Sequence, residues 1–157
     1  MQAVIETSLG PIKLIEQDNV ITEIIFNADE EPSMSDSPVI RQCISELEEY
    51  FKGERTSFDV PIKIAGTEFQ NKVWNELTKI PYGQTISYSE LAFRLGDIKT
   101  IRAAASANGK NKLPIIVPCH RVIGKDGSLV GFSGGLDKKE LLLKLEGVIR
   151  DEQLSLF

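Results

Sequence analysis

Residues Ser87–Gly109 read SYSELAFRLGDIKTIRAAASANG, two short helical patterns separated by a turn that contains a glycine. Ser87 followed three positions later by Glu90 is a capping-box pattern, so a helix opens over YSELAFRL, and Gly96 closes it. TIRAAASANG then predicts a second helix that stops at Gly109. Two short helices joined this way have the layout of a helix-turn-helix, whose second helix usually faces nucleic acid. That second helix has almost no side-chain bulk: Ala103, Ala104, Ala105, Ser106 and Ala107 follow Arg102 near its start. Small residues permit close packing against a core. They equally let a backbone approach a narrow groove with Arg102 as a probe, and composition leaves both readings open.

Upstream of this pair, Thr67 followed by Gln70 is a second capping-box pattern, opening a helix with Phe69, Val73, Trp74 and Leu77 on one face that ends at Pro81-Tyr82-Gly83. Downstream, KLPIIVPCHRV (112–122) reads as strand-like, and Asp126-Gly127 in GKDGSLVG signals a hairpin turn. FSGGLDKKELLLKLEG (132–147) becomes a helix with Leu136, Leu141, Leu142 and Leu145 available for a core. The first part of the chain is different. AVIETSL, IKLIEQ and VITEIIF read as strands, with Gly10-Pro11 as a turn between the first two, and residues 27–37 as a polar loop. Pro38 suits the first turn of a helix in which Ile40, Ile44, Leu47 and Phe51 recur at helical spacing until Gly53. FDVPIKI, with Pro61, reads as a last strand or a linker. The boundary falls near 62–66, giving an α/β chain with a sheet-and-helix domain over 1–65 and a mostly helical domain over 66–157.

The net charge of −5 hides an asymmetry. Residues 1–65 carry 5 basic and 13 acidic side chains, a net −8, whereas residues 66–150 carry 13 and 8, a net +5. The basic part is the candidate for a polyanionic partner. No apolar run approaches the ~18–20 residues of a membrane span, and the N-terminus lacks the basic start and apolar stretch of a signal peptide. Two cysteines 76 positions apart, with no CxxC, exclude a disulfide scaffold or zinc ribbon and predict a cytoplasmic protein with reduced thiols.

Those two thiols have different settings. Cys43 lies beside the apolar stripe of its helix and reads as a core or boundary residue. Cys119 is followed by His120, the only histidine, and by Arg121, and is preceded by Pro118. A free thiol with pKa ~8.5 is mostly protonated at neutral pH, so a nucleophile needs a base or a positive field. On an extended chain the neighbouring His120 points to the opposite side, which disfavours direct contact and leaves a bridging water to carry the proton. A carboxylate on the other imidazole nitrogen would fix the tautomer, and Glu140 and Glu146 are both candidates. An inert buried thiol and an activated one remain open on these residues alone.

The segment PCHRV resembles the active-site signature of the O6-alkylguanine-DNA alkyltransferases, suicide DNA-repair proteins. FQNKVWNELTKIPYGQTISYSELA, RAAASANGKN and GFSGGLDKKELLLKLEG are also similar to family segments, in family order, over roughly residues 66–147. Residues 1–65 resemble only the outline of the family's first domain, a ribonuclease-H-like sheet and helix. The second domain would be winged-helix-like, with a helix-turn-helix whose small-residue helix enters the minor groove of double-stranded DNA carrying alkylated bases.

The resemblance implies that Cys119 accepts the alkyl group, activated by His120, a water and Glu146. Asn111 would brace the active-site turn, and Tyr88 would protonate or polarise the departing guanine. Arg102 would fill the stack when the nucleotide is flipped out, with Ala103 and Ser106 beside it on the DNA-facing helix. Arg121, Val122, Phe132 and Ser133 would belong to the DNA or substrate surface, and Lys139 would be a structural or pocket lysine. The protein would act as a monomer, without a cofactor. Phe132 stands where many relatives have tyrosine, which removes a hydroxyl from the pocket lid. Residues 1–65 hold no histidine and one cysteine, so the zinc some relatives bind there is not expected. Two further readings are a non-catalytic alkyltransferase-like lesion binder, which typically lacks the cysteine, and a cysteine hydrolase or thiol sensor.

Overall fold

The computed structural model describes residues 1–132 and 134–149, and the chain in it divides into two compact units. The first comprises Met1–Ala65 together with Lys112–Ile116. Three antiparallel strands, β1 (Gln2–Thr7), β2 (Gly10–Gln17) and β3 (Val20–Phe26), form a meander in the order β1-β2-β3. The β1–β2 turn falls at Ser8-Leu9 rather than at Gly10-Pro11, and Gly10 already belongs to β2. Asp18 and Asn19 both have positive φ, 55° and 65°, as the tight β2–β3 connection demands. The β2–β3 register shifts between Ile15 and Glu16, leaving Thr22 as an extra residue on β3. That bulge re-phases the alternation, so Ile21 and Ile24 are both buried although three positions apart.

Helix α1 (Pro38–Phe51) begins where the Ser37 hydroxyl accepts from Ile40 N and Pro38 occupies the first turn. Ile40, Cys43, Leu47 and Tyr50 are fully buried, as are Ile12 and Leu14 of β2. Each buried aliphatic side chain contributes about 1.5–3 kcal/mol to the packing of such a helix. Cys43 sits in this core, and burial pushes its thiol up to about 12. Glu46 is also buried: one oxygen accepts from Asp59 N and Val60 N, the other from Gln42 Nε2. It closes the return from α1 to FDVPIKI, which makes only an isolated parallel bridge, Ile21 to Ile62.

The strand-like reading of 112–122 is corrected. Residues 112–118 are a succession of turns, with Ile115 at φ 76°, a left-handed backbone that is strained for a β-branched side chain. Pro114 and Pro118 lack N–H donors, so the segment cannot sustain a ladder. Lys112–Ile116 joins the first unit, with Ile24 N donating to the Lys112 carbonyl.

In the second unit, α2 (Glu68–Leu77) starts from a complete capping box in which Thr67 and Gln70 satisfy each other's backbone N–H. Val73, Trp74 and Leu77 are its buried face. Strand β4 (Ile86–Ser87) runs into α3 (Tyr88–Arg94), capped by the Ser87 hydroxyl on Glu90 N. Gly96, at φ 98°, turns the chain; a 3-10 turn over Ile98–Thr100 leads into α4 (Ile101–Gly109). Trp74 Nε1 donates to the Ala107 carbonyl at 2.8 Å, tying α2 to the last turn of α4. Ala104, Ala107 and Asn108 face inward on α4, whereas Arg102, Ala103 and Ser106 are exposed. The small residues therefore serve both roles, close packing on one side and a low outer surface on the other.

A two-residue strand β5 (Val122–Ile123) pairs in parallel with β4. The turn at Asp126-Gly127 is present, closed by Gly124 N on the Ser128 carbonyl, but no strand follows it. Helix α5 (Leu136–Leu145) buries Lys139, Leu142 and Leu143. Leu136 and Leu141, expected in the core, are 45% and 43% exposed; Lys139 lies inward instead because its ammonium finds two carbonyls there. Among the described residues no helix is long and apolar enough to cross a membrane.

Candidate active site

Cys119, His120 and Arg121 form a single 3-10 turn, not an extended strand, so alternation along a strand does not govern where their side chains go. All three are buried. The turn is held by two asparagines. Asn111 Nδ2 donates to the Val117 carbonyl at 2.7 Å, and Asn108 Nδ2 to the Cys119 carbonyl at 3.3 Å.

Glu146, just beyond the end of α5, organises the charged side chains, while Glu140 makes no contact with them. Its Oε2 lies 2.7 Å from His120 Nε2 and accepts from Arg121 Nη2 at 3.0 Å. Its Oε1 accepts from Arg121 Nε at 2.8 Å and from Gly83 N at 3.4 Å. Arg121 also donates to the Ile80 carbonyl at 2.6 Å and lies over the Tyr82 ring. Arg121 was expected on the DNA or substrate surface; it is 6% exposed and turned inward, where its guanidinium compensates the buried carboxylate. Val122 is likewise buried, and its carbonyl accepts from Lys139.

A carboxylate at Nε2 makes that nitrogen the protonated one, assigned from the network, and leaves Nδ1 with a free lone pair. Nδ1 is buried and has no protein partner among the described residues. Burial holds the imidazole below its ordinary value, against the pull of Glu146 in the other direction. His120 is thus a neutral imidazole with a fixed tautomer.

Burial also pushes the Cys119 thiol up to about 11, although an Asn111 hydrogen bond and the Lys139 charge draw it down. At neutral pH only about one molecule in ten thousand holds a thiolate at such a value. Lys139 is fully buried, donates to the Val122 and Val130 carbonyls at 2.6 and 2.8 Å, and is lowered by burial to about 8. Tyr88 also donates to the Val130 carbonyl, at 2.7 Å. Its hydroxyl is raised above the usual value by burial and by the negative charge Cys119 can carry, and a hydrogen bond from Asn108 opposes both.

Arg102 stands apart from this buried cluster, exposed on α4 with Ala103 and Ser106. Arg94, Lys99 and Lys110 are exposed on the same helix pair and its flanks. Phe132 is half-buried, and Ser133 lies outside the described residues. Sequence reading missed Asn108 and the carbonyls of Ile80 and Val130. Asn108 precedes a glycine at a helix end and so looks like a stop signal; its spacing of four from Ala104 was the clue that it lies on the inner face. Among the described residues no group of three or more His, Cys, Asp or Glu side chains is placed to hold a metal ion.

A helix-turn-helix unit that carries a buried cysteine beside a carboxylate-fixed histidine is the layout of a DNA-binding protein with a candidate nucleophile built in. The chain matches the 6-O-methylguanine DNA methyltransferase ribonuclease-like domain over residues 1–64 and the DNA binding domain of the same name over 68–148. It belongs to that family. A methylated-DNA--protein-cysteine methyltransferase of Methanosarcina acetivorans is 46% identical over 92% of this chain and 97% of its own length. A constitutive one from Bacillus subtilis is 37% identical over 94% and 96%. Among solved structures, Mycobacterium tuberculosis OGT in complex with DNA is 40% identical, with a TM-score of 0.85 over 99% of this chain and 98% of that one.

Proposed function

We propose that this protein repairs DNA directly, transferring the alkyl group of O6-alkylguanine, and of O4-alkylthymine, to Cys119 in a single irreversible step. The observation that carries the proposal is the buried pairing of His120 Nε2 with Glu146, which leaves Nδ1 as a base beside a cysteine that burial keeps protonated. A water relays the thiol proton to Nδ1 as Sγ attacks the alkyl carbon. Tyr88 supplies a proton to the departing guanine. The product is a thioether, which has no easy hydrolytic exit, so each molecule acts once.

A lesion inside a duplex is inaccessible, and flipping the nucleotide costs a few kcal/mol. Arg102, exposed at the start of α4, occupies the vacated space, and the low surface of Ala103 and Ser106 admits α4 to the minor groove. Exposed Arg94, Lys99 and Lys110 supply about three phosphate-directed charges, for which a log–log salt slope of about −3 is expected. The lesion-binding reading without catalysis is disfavoured by the cysteine itself, since such proteins lack the acceptor.

Incubation with duplex DNA containing O6-methylguanine, followed by intact mass and peptide mapping, tests the reading. One methyl group per chain, on Cys119, is expected. Cys119→Ser should retain binding and lose transfer, and Cys43→Ser should transfer normally. Sustained turnover, methylation elsewhere, or transfer by Cys119→Ser would overturn it.

A further inference from the structure

Pro81-Tyr82-Gly83, read from the sequence as the end of a helix, is a turn closed by Gln84 N on the Pro81 carbonyl at 3.1 Å. Gly83 is its third residue, at φ 79°, the left-handed backbone that a type II turn demands there. This turn and Ile80 before it reach the buried charged cluster at several points. The Ile80 carbonyl accepts from Arg121 Nη1 at 2.6 Å, and the Arg121 guanidinium carbon lies 5.8 Å from the Tyr82 ring centroid. The Tyr82 hydroxyl donates to the Leu145 carbonyl, directly ahead of Glu146, at 3.3 Å. Gly83 N donates to Glu146 Oε1 at 3.4 Å. Glu146 itself is the residue after α5, and Gly147 at φ 79° follows it, so no further turn of that helix braces its side chain. The bracing comes from the neighbouring turn, and it is directional. Oε1 is taken by Arg121 Nε and Gly83 N, which leaves Oε2, shared with Arg121 Nη2, to face His120 Nε2 at 2.7 Å. A carboxylate rotated away from Nε2 would release the tautomer that keeps the lone pair on Nδ1.

We propose that Tyr82 and Gly83 are positioning residues for alkyl transfer, holding the Glu146 carboxylate in the rotation that fixes the His120 tautomer. The proposal rests on the alkyl-transfer reading above and extends it to a turn outside the Cys119–His120–Glu146 set. The step it serves is unchanged. The Sγ–C bond forms, the C–O6 bond breaks with its pair left on the base, and the base takes the Tyr88 proton. The thiol proton passes through a water to His120 Nδ1, and solvent carries the imidazolium proton back to the tyrosine. Glu146 takes no proton; its charge stands against the imidazolium while that lasts. Tyr82 and Gly83 act only through Glu146 and Arg121.

The test follows single-turnover transfer from saturating O6-methylguanine duplex between about pH 7 and 9.5 in wild type, Tyr82→Leu, Gly83→Ala and Gly53→Ala, a window set below the Cys119 thiol's value of about 11. Gly53 has the same left-handed backbone, φ 76°, with open space around a Cβ, so Gly53→Ala carries the strain without facing Glu146. Tyr82→Leu and Gly83→Ala should each transfer about tenfold more slowly at neutral pH, well inside the ~10² that a small misplacement can cost. Their deficit should shrink as pH rises and more thiolate forms unaided. Tyr82→Phe, which keeps the ring against Arg121, should lose less than Tyr82→Leu, and Gly53→Ala should transfer as wild type. Comparing each variant with wild type at the same pH cancels the titration of Lys139, which with Glu146 and Arg121 makes up the charged groups around the imidazole. A deficit that stays constant across the pH range would mark a merely structural role and overturn the proposal. So would wild-type rates in Tyr82→Leu and Gly83→Ala, or a Gly53→Ala deficit equal to that of Gly83→Ala. Should Gly83→Ala not fold, the two Tyr82 variants carry the same comparison. If wild type itself leaves Cys119 unmethylated, the alkyl-transfer reading falls and this proposal with it; if wild type transfers and the variants show no pH-dependent deficit, only this proposal falls.

Discussion

Replacing Glu146 by Gln separates the two jobs of that carboxylate. Its two oxygens meet His120 Nε2, Arg121 Nε and Nη2, and Gly83 N at 2.7 to 3.4 Å. A glutamine has one acceptor oxygen and one NH2, so an NH2 must face either the imidazole or the guanidinium. Facing His120, it forces the proton onto Nδ1 and removes the base. Facing Arg121, it sets donor against donor. Either way the Arg121 charge is left buried without a countercharge, held only by the Ile80 carbonyl and the glutamine oxygen. Breaking a buried pair on one side costs about 3–5 kcal/mol, a large part of the about 5–15 kcal/mol that holds a domain together. In urea, with m about 2 kcal/mol/M, the midpoint should fall by roughly 2 M. Transfer at neutral pH should fall by about 10² to 10⁴. With the thiol held at about 11, the variant's rate should then climb about tenfold per pH unit, from neutrality up to the limit of its stability. Arg121→Met combined with Glu146→Gln removes both charges and should recover most of the stability while leaving transfer slow. An unfolding free energy within about 1 kcal/mol of wild type for Glu146→Gln, or a neutral-pH rate within threefold, would refute the reasoning.

Arg102→Ala should slow repair of duplex DNA far more than dealkylation of free O6-benzylguanine, which needs no flipping, and Arg102→Lys should rescue only partly because a compact ammonium lacks the planar guanidinium; equal losses on both substrates would assign Arg102 to the fold. Lys139, lowered to about 8 from 10.5, holds fewer protons folded than unfolded between those values, so its contribution makes stability rise with pH across that window. Cys119 and Cys43, raised to about 11 and about 12 from 9.0, hold more protons folded, so their contributions are lost as pH rises from 9 through those values. Thermal melts from pH 7.5 to 10.5 should show the rising component in wild type and not in Lys139→Met; parallel curves would contradict it. Glu46→Ala should lower unfolding stability by about 1–3 kcal/mol, by orphaning Asp59 N and Val60 N, and leave the transfer rate unchanged; a slowed transfer in a folded variant would count against its purely structural role.

Elements whose cause is local were legible in the chain. The helix starts marked by Pro38, Thr67 and Ser87 and the stop at Gly96 follow from side chains acting within a few residues of themselves. PCHRV and its companion segments made Cys119 the candidate nucleophile, through their resemblance to the alkyltransferase signature. What failed did so for a common reason. The segment 112–122 has the apolar content of a strand, but whether a ladder forms depends on a partner, and two prolines with a left-handed Ile115 prevent one. Arg121 reads as a surface cation until Glu146, 25 positions away, is seen to need compensation in the interior. Lys139 reads as solvated until two carbonyls are brought to its ammonium. Spacing could not choose between Glu140 and Glu146, since both lie at the last helix and only packing decides which one meets His120. Asn108 became visible when α4 was laid against the cysteine turn. The sequence determines which groups exist and where helices begin; burial, which sets every pKa and fixes the histidine tautomer, belongs to the tertiary structure because desolvation is imposed by residues distant in the chain.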